Sequence, residues 1–272
     1  MLGTAVVKSA PAGQDFVAVT RADGDLTDSR GIKAIFAAHA PHAVIHCAAY
    51  ADVDGCTRDP QRAHRNNTEA TKLVAQQCAE RGTRLVFLST DYVFSGTKTQ
   101  AYEEDDKPDP INPYGESKLA AERAVAELLD DYLIVRTQWL YGPGGKNFVS
   151  AILNRAQAGE PLKVVEDEFG SPTYTFDLAQ ALWLAVASEL RGIVHITNSG
   201  HCSRLALAEA ALQAAGLADT EIEPVKSADW PSPTARPLHA ILDNSRWVQA
   251  GYPPLRPWQE AVEDFVATHF SR

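Results

Sequence analysis

Apolar residues along the chain recur in two rhythms. Val44-Ile45, Leu85-Val86-Phe87-Leu88 and Leu133-Ile134-Val135 are continuous runs with β-branched or aromatic members, the pattern of strands buried on both faces of a parallel sheet. Between the first two, Ala63, Asn67, Ala70, Val74 and Cys78 recur at spacings of four and three. That spacing places them on the inward face of a helix over 61–81, closed by Gly82. The same rhythms predict helices over 4–10, 29–39, 114–129, 146–158, 176–189, 203–215 and 253–269. Further strands are predicted over 15–20, 43–49, 132–136, 162–166 and 192–197, and residues 52–59 read as a loop. Strands alternating with helices predict an α/β fold, a parallel sheet with helices on both faces.

One stretch carries chemistry as well as core. The run Leu85-Val86-Phe87-Leu88 ends in Ser89-Thr90-Asp91-Tyr92, polar side chains at the carboxyl end of a buried strand, where open α/β sheets bind ligands. After an acid- and proline-rich loop, Tyr114 and Lys118 stand four apart, one turn apart on one helix face. A phenol, an ammonium and a hydroxyl in one place form a reductase's acid–base set. Hydride addition to a ketone makes an alkoxide, which must be protonated as it forms. A free tyrosine has a pKa of about 10, and bringing it near neutrality takes about 4 kcal/mol. Lys118 and the cation of an oxidised nicotinamide are expected to supply that, with Thr90 donating a hydrogen bond to the substrate oxygen. Thr90, Tyr114 and Lys118 are the predicted catalytic set.

These residues lie within longer motifs. Ser89-Thr90-Asp91-Tyr92-Val93-Phe94-Ser95-Gly96, Tyr102-x-Glu104-x-Asp106 and Pro113-Tyr114-Gly115-x-Ser117-Lys118 resemble the dTDP-4-dehydrorhamnose reductases, extended short-chain dehydrogenases/reductases that act on nucleotide sugars. The resemblance continues through Ala48-Ala49-Tyr50 with Val53-Asp54, Asn67, Arg136-Thr137-x-Trp139-x-Tyr141-Gly142 and Gly170-Ser171-Pro172-Thr173-Tyr174, and covers nearly the whole chain. It implies a Rossmann-like dinucleotide-binding domain over 1–142. Over 143–272 it implies a smaller, mainly substrate-binding domain with segments returning to the first. The implied activity is NAD(P)H-dependent reduction of the 4-keto group of a dTDP-4-keto-6-deoxysugar, such as dTDP-4-dehydrorhamnose to dTDP-L-rhamnose. Asn67, Ser89, Tyr114 and Lys118 would face the cofactor, and Asp91, Tyr92, Asn147 and Arg236 the substrate. Two other readings stand beside it: a 4-ketoreductase making another deoxysugar, and a non-catalytic dinucleotide-binding subunit of a partner enzyme. Trp139 either covers a sugar face or packs in the core. Asn67 either orders the active-site backbone or is a buried structural amide. Glu168 stands where the family usually has glutamine.

The start of the chain departs from the pattern. A dinucleotide-binding unit opens with a strand and a glycine-rich turn that leads into a helix facing the pyrophosphate. Here Met1-Leu2-Gly3 resembles only the tail of that motif, so Leu2 and Gly3 are expected at the cofactor, while the first strand and most of the glycine-rich loop are missing. Losing a central strand leaves unpaired backbone groups at about 1–3 kcal/mol each, in a fold stable by roughly 5–15 kcal/mol. The expectation is that the sequence starts at an internal Met; the alternative is a gap filled by another segment or a partner. As it stands, the chain is expected to bind dinucleotide poorly. Thr20-Arg21 follows the 15–20 strand, where an acidic residue commonly holds the ribose 2′-hydroxyl; an arginine suits a 2′-phosphate and tilts the expectation from NADH to NADPH. Asp25-Leu26 resemble the family's adenine-side contact, and the small end Ala48-Ala49-Tyr50 lets the backbone approach a cofactor.

Composition narrows the partners. The net charge is −10, with no block of like charges longer than Glu103-Glu104-Asp105-Asp106, which argues against a nucleic-acid groove or a membrane face. Cys47, Cys56, Cys78 and Cys202 show no ligand spacing, so no metal is expected and Cys47 and Cys78 read as reduced core residues. His46 reads as a hydrogen-bonded core histidine without chemistry. No signal peptide or spanning segment is evident, so the expected place is the cytoplasm. The expected partner is a nucleotide-sugar substrate, and the expected state is a monomer or homodimer.

Overall fold

The structure, a computed structural model, describes residues 1–270. Its main sheet holds four parallel strands, Ala43–His46, Arg84–Thr90, Tyr132–Thr137 and Gly192–His195, side by side in chain order. Side chains alternate across it with the strand period of two. Leu85 and Phe87 enter one core with Ile32, Phe36, Val74 and Val125, while Val86 and Leu88 enter another with Ala5, Leu182 and Val194. Helices Ser29–His39, Ala70–Arg81 and Pro113–Leu128 cover the first face, and Leu2–Lys8 and Thr175–Ala187 the second. With both faces covered, the strands have no polar side, which is why their sequences read as unbroken apolar runs. This is the α/β arrangement expected.

Two local expectations are corrected. Residues 15–20 form no strand. In a doubly wound sheet that strand would pair with one ahead of the Leu2–Lys8 helix. Among the described residues none exists, and Ala43–His46 pairs only with Arg84–Thr90. Residues 15–20 therefore run unpaired, with Phe16, Val17 and Val19 exposed. Residues 52–59 are not a loop. Asp52 accepts a hydrogen bond from Gly55 N (2.9 Å) and caps a helix over Val53–Arg58. Asp59 accepts one from Arg62 N (2.9 Å) and caps Pro60–Ala63. An aspartate cap followed by proline at the first helical position is a strong start signal.

The helix expected over 61–81 is broken in character but not in course. Pro60–Ala63 passes into a π-helical turn, His64–Glu69, and then into Ala70–Arg81, which ends at Gly82 with φ 64°. The π turn carries Asn67. Such widened turns occur often at functional sites.

Beyond Gly142 a second core forms around Tyr141, Val149, Leu153, Leu162, Leu207 and Phe265, uniting the helices Phe148–Gln157, Arg204–Ala214 and Trp258–His269. Thr175–Ala187 and Gly192–His195 return to the main sheet. Between the carboxyl ends of the sheet strands and this second core lies a cleft of about 320 Å³. No helix among the described residues is long and apolar enough to cross a membrane.

Candidate active site

The Arg84–Thr90 strand is buried throughout and ends in a tight turn over Asp91–Val93. Thr90 shapes that turn: its hydroxyl accepts a hydrogen bond from Tyr92 N (3.3 Å) and donates one to Asp91 Oδ1 (2.9 Å). Gln138 Nε2 donates to the other Asp91 oxygen (2.9 Å) and to Ala240 O (2.9 Å), while Gln138 Oε1 accepts from Ser171 N (2.6 Å). One amide thus ties the strand end to two segments of the second half. Burial pushes the Asp91 carboxyl up to about 6, against the bonds from Thr90 and Gln138 and the charge of Arg204.

The Pro113–Leu128 helix delivers Tyr114 and Lys118. Asn112 caps it, accepting from Gly115 N (2.9 Å) while donating to Ala235 O (2.9 Å). Gly115 packs so closely on the Tyr92 carbonyl that a Cβ there would collide with it. That approach sets the Tyr114 ring edge-on to Tyr92, centroids 5.4 Å apart. Thr90, Asp91, Tyr92 and Tyr114 all line the cleft. Lys118 lies deeper: Nζ donates to Leu88 O (2.7 Å) and sits 4.1 Å over the Phe87 ring. Burial lowers its pKa to about 7, opposed by the carboxylate of Glu122.

Taken together, the protein's own groups do not lower Tyr114, so the expected shift rests on the nicotinamide cation. The Tyr114 phenol is pushed above its ordinary range, chiefly by burial and then by Asp91, with only a hydrogen bond with Thr90 acting the other way. Lys118 spends its proton on a backbone carbonyl and is itself desolvated, so in the ligand-free fold it does not pull Tyr114 down.

Asn67 is fully buried. Its Oδ1 accepts from Tyr50 N (2.7 Å), and its Nδ2 donates to Tyr50 O (3.1 Å) and Ser117 Oγ (2.9 Å). Ser117 Oγ in turn donates to Tyr114 O (2.7 Å). Asn67 thus joins the loop after the first sheet strand to the helix carrying Tyr114, and its amide is used up in doing so. His46 is a core residue, with Nε2 against Thr71 Oγ1 (3.1 Å) and its ring stacked on Phe87.

Other expected positions are spread more widely. Ala48 and Ala49 are exposed at the end of the first sheet strand, and Gly3 lies against Cys47 beside them. The Leu2 side chain is buried in the core at the start of the Leu2–Lys8 helix. Arg21 and Asp25 are exposed, and Leu26 packs against the Ile32 and Phe36 cluster; none of the three lines the cleft. Asn147 Oδ1 caps the Phe148–Gln157 helix at Ser150 N (2.9 Å), and its Nδ2 donates to Gly142 O (2.9 Å), which ties it to the turn beside the cleft. Arg236 lines the cleft, donating to Tyr92 Oη (3.3 Å) and Asp54 Oδ1 (3.1 Å). Trp139 lines it too, at φ 45°, a left-handed conformation rare for a bulky residue and typical of strained sites.

Two cleft residues had no sequence signal. Gln138 lies between motif positions, and Arg204 enters from the start of a distant helix, its guanidinium 3.5 Å over the Trp139 ring. Ser203, capping that helix through Ala206 N (3.1 Å), was the one local hint of where Arg204 would stand.

A nicotinamide dinucleotide fits what the strand ends offer. The hydroxyls of Ser89 and Thr137 are buried, line the cleft and have no partner, and buried polar groups in native folds are normally satisfied.

Comparison with known proteins agrees with this geometry. A dTDP-4-dehydrorhamnose reductase of Mycolicibacterium smegmatis is 39% identical over 271 residues, 98% of this chain and 82% of its own length. A dTDP-4-keto-6-deoxy-D-glucose reductase of Streptomyces niveus is 37% identical over 247 residues, 90% of this chain and 86% of its own. The crystal structure of a Bacillus anthracis dTDP-4-dehydrorhamnose reductase in complex with NADP superposes with a TM-score of 0.95 at 33% identity, covering 98% of this chain and 95% of that one. The family described as the RmlD substrate binding domain matches residues 1–270, and the chain belongs to it.

Proposed function

We infer that the protein reduces the 4-keto group of a dTDP-4-keto-6-deoxysugar with NADPH, dTDP-4-dehydrorhamnose being the substrate proposed first. The observation that carries this is the convergence of Tyr114 and Thr90 in the lining of the cleft, with Lys118 one turn behind Tyr114 on the same helix. When bound, the cofactor supplies hydride. Ala48, Ala49, Ser89 and Lys118 are the residues we propose to hold it. Tyr114 gives its proton to the oxygen that becomes an alkoxide. A neutral phenol is the right form for a donor, and it is the form a tyrosine takes near neutral pH. Thr90 orients the same oxygen, exchanging its bond to Asp91 for one to substrate. Lys118 is the cation nearest in sequence to the phenolate that proton transfer leaves, and in its protonated form favours it.

Arg236, Trp139, Tyr92 and Asp91 form the proposed substrate side, and the turn at Gly142 divides a cofactor half (1–142) from a mainly substrate half (143–272). We place the protein in the cytoplasm as a monomer or homodimer, a setting that suits its four free cysteines.

Tyr114→Phe removes one oxygen and leaves the ring packing intact. NADPH oxidation with dTDP-4-dehydrorhamnose should fall by at least 100-fold while the melting curve stays unchanged. Lys118→Ala should lose turnover and also weaken NADPH binding. Full activity in Tyr114→Phe would overturn the assignment. The same assay with dTDP-4-keto-6-deoxy-D-glucose identifies the preferred sugar.

A further inference from the structure

A second charged cluster lines the cleft, and the proton chemistry makes no use of it. Arg204 opens the Arg204–Ala214 helix, with its guanidinium 3.5 Å over the Trp139 ring and 5.2 Å from that of Phe148. Glu168 holds it from behind: the Glu168 carbonyl accepts from Arg204 N (3.0 Å), and its carboxylate pairs with Arg204 Nε at 3.5 Å. The pair is largely buried, with side chains 15% and 10% exposed. A carboxylate at that separation compensates charge better than it satisfies donors. The two Nη groups of Arg204 make no hydrogen bond to any other described residue.

Such an arrangement is costly for a purely structural cation. A buried guanidinium is normally matched donor by donor, often in a bidentate pair. Arg136, elsewhere in this fold, is paired in that way with Glu122 through Nε and Nη2 (2.9 and 2.7 Å). Arg204 is instead fixed in direction by aromatic rings and by one carboxylate on its Nε edge, and its outer edge is left over. Arg236, the next cation in the cleft, is tied through Nη2 to Asp54 and through Nη1 to Tyr92 Oη. The remaining charged or titratable neighbours of Arg204 are Tyr92, Asp91 and Cys202.

We propose that Arg204 binds the diphosphate of the nucleotide-sugar substrate, and that Glu168 restrains how tightly it does so. This rests on the reductase reading, because it takes the anion to be that substrate's. The stacked rings keep the guanidinium plane fixed, so little side-chain freedom is lost on binding. The carboxylate of Glu168 competes with the incoming phosphates for the same cation. The pair therefore sets affinity without touching the reacting carbonyl, a specificity-determining role and not a catalytic one.

The test titrates dTDP, and separately NADPH, into the whole protein by calorimetry, alongside turnover measurements. Arg204→Gln should weaken dTDP binding about 10- to 100-fold, the range for losing a charge-assisted bond. It should raise KM for the keto sugar similarly and leave kcat and NADPH affinity within about twofold. Arg204→Lys, charged but not planar, should recover only part of the loss. Glu168→Gln, nearly isosteric, should tighten dTDP about 3- to 10-fold, and in combination with Arg204→Gln that gain should vanish. Unchanged dTDP binding in a folded Arg204→Gln protein overturns the proposal while leaving the reductase reading intact. So does weaker or unchanged binding in Glu168→Gln, which decides the matter even where Arg204→Gln does not fold. A loss of NADPH affinity in place of dTDP affinity also overturns it, since it would make the anion the cofactor's. Failure of the unsubstituted protein to bind dTDP at all would overturn both.

Discussion

Replacing Glu122 by glutamine should unsettle the fold from directly behind the site. Glu122 and Arg136 are 3% and 1% exposed and share two parallel hydrogen bonds, 2.9 Å from Nε and 2.7 Å from Nη2. Arg136 has no other ion-pair partner among the described residues, and its Nη1 is already unsatisfied. Removing the carboxylate leaves a guanidinium in the interior with its charge uncompensated, which costs about 3–5 kcal/mol. Against a total stability of roughly 5–15 kcal/mol this is a large fraction. At about 2–4 °C per kcal/mol for a chain near this size, the melting midpoint should drop by roughly 6–20 °C. Urea titration of the same variant should give the same loss with an unchanged slope. Replacing both residues by methionine should recover most of the loss, because the penalty belongs to the stranded charge and not to the absent pair. Glu122 also supports the charge on Lys118, so activity in Glu122→Gln should become more sensitive to pH near neutrality. A loss below about 1 kcal/mol would mean that Arg136 finds water or another partner and would refute the reasoning.

Two further outcomes follow from the same structure. His46 and His195 are held to about 3, from an ordinary 6.5, by burial; the unfolded chain therefore binds protons that the folded one does not, and stability is lost as pH falls below 6.5. Asp91, raised to about 6 from 3.8, has the opposite sign and loses stability as pH rises through that window. Glu104, raised by burial too, acts in the same sense as Asp91. His46→Asn removes about one proton of linkage and should shift the slope of urea-derived stability near pH 5 by about 1.4 kcal/mol per pH unit towards lower stability at higher pH. Gly115→Ala, whose Cβ would collide with the Tyr92 carbonyl, should cost about 1–3 kcal/mol as overpacking does. It should also lower kcat more than tenfold by moving Tyr114, and an active, fully stable Gly115→Ala protein would show that the helix can withdraw freely.

How much of this was legible in the sequence depended on how local its cause was. The Arg84–Thr90 strand and the Pro113–Leu128 helix announce themselves through apolar runs, a proline and a spacing of four. The motifs on them put Thr90, Tyr114 and Lys118 in place. The segment 15–20 misled because its β-branched pattern is real, while a strand is a property of two segments and needs a partner. Residues 52–59 misled in reverse: Asp52 and Asp59 were read as loop punctuation and act as helix caps. Arg204 and Gln138 were invisible, since nothing within a few residues of either says which distant wall of the cleft its side chain will reach.

The ionisation of the site was legible least of all, and it alters the account of the proton. From the spacing alone, Lys118 should lower Tyr114, because a cation one turn away favours a phenolate. Spacing carries no information about desolvation, however, and desolvation outweighs the pair here, raising Tyr114 and lowering Lys118 together. Each group is thereby driven towards its neutral form, and for Tyr114 that is the form able to donate. Tyr114 rests with its proton in place, as an ordinary tyrosine does near neutrality, and gives it up as negative charge develops on the substrate oxygen. The same burial that closes the core around the Arg84–Thr90 strand therefore leaves the lowering of Tyr114 to the cation of the bound nicotinamide.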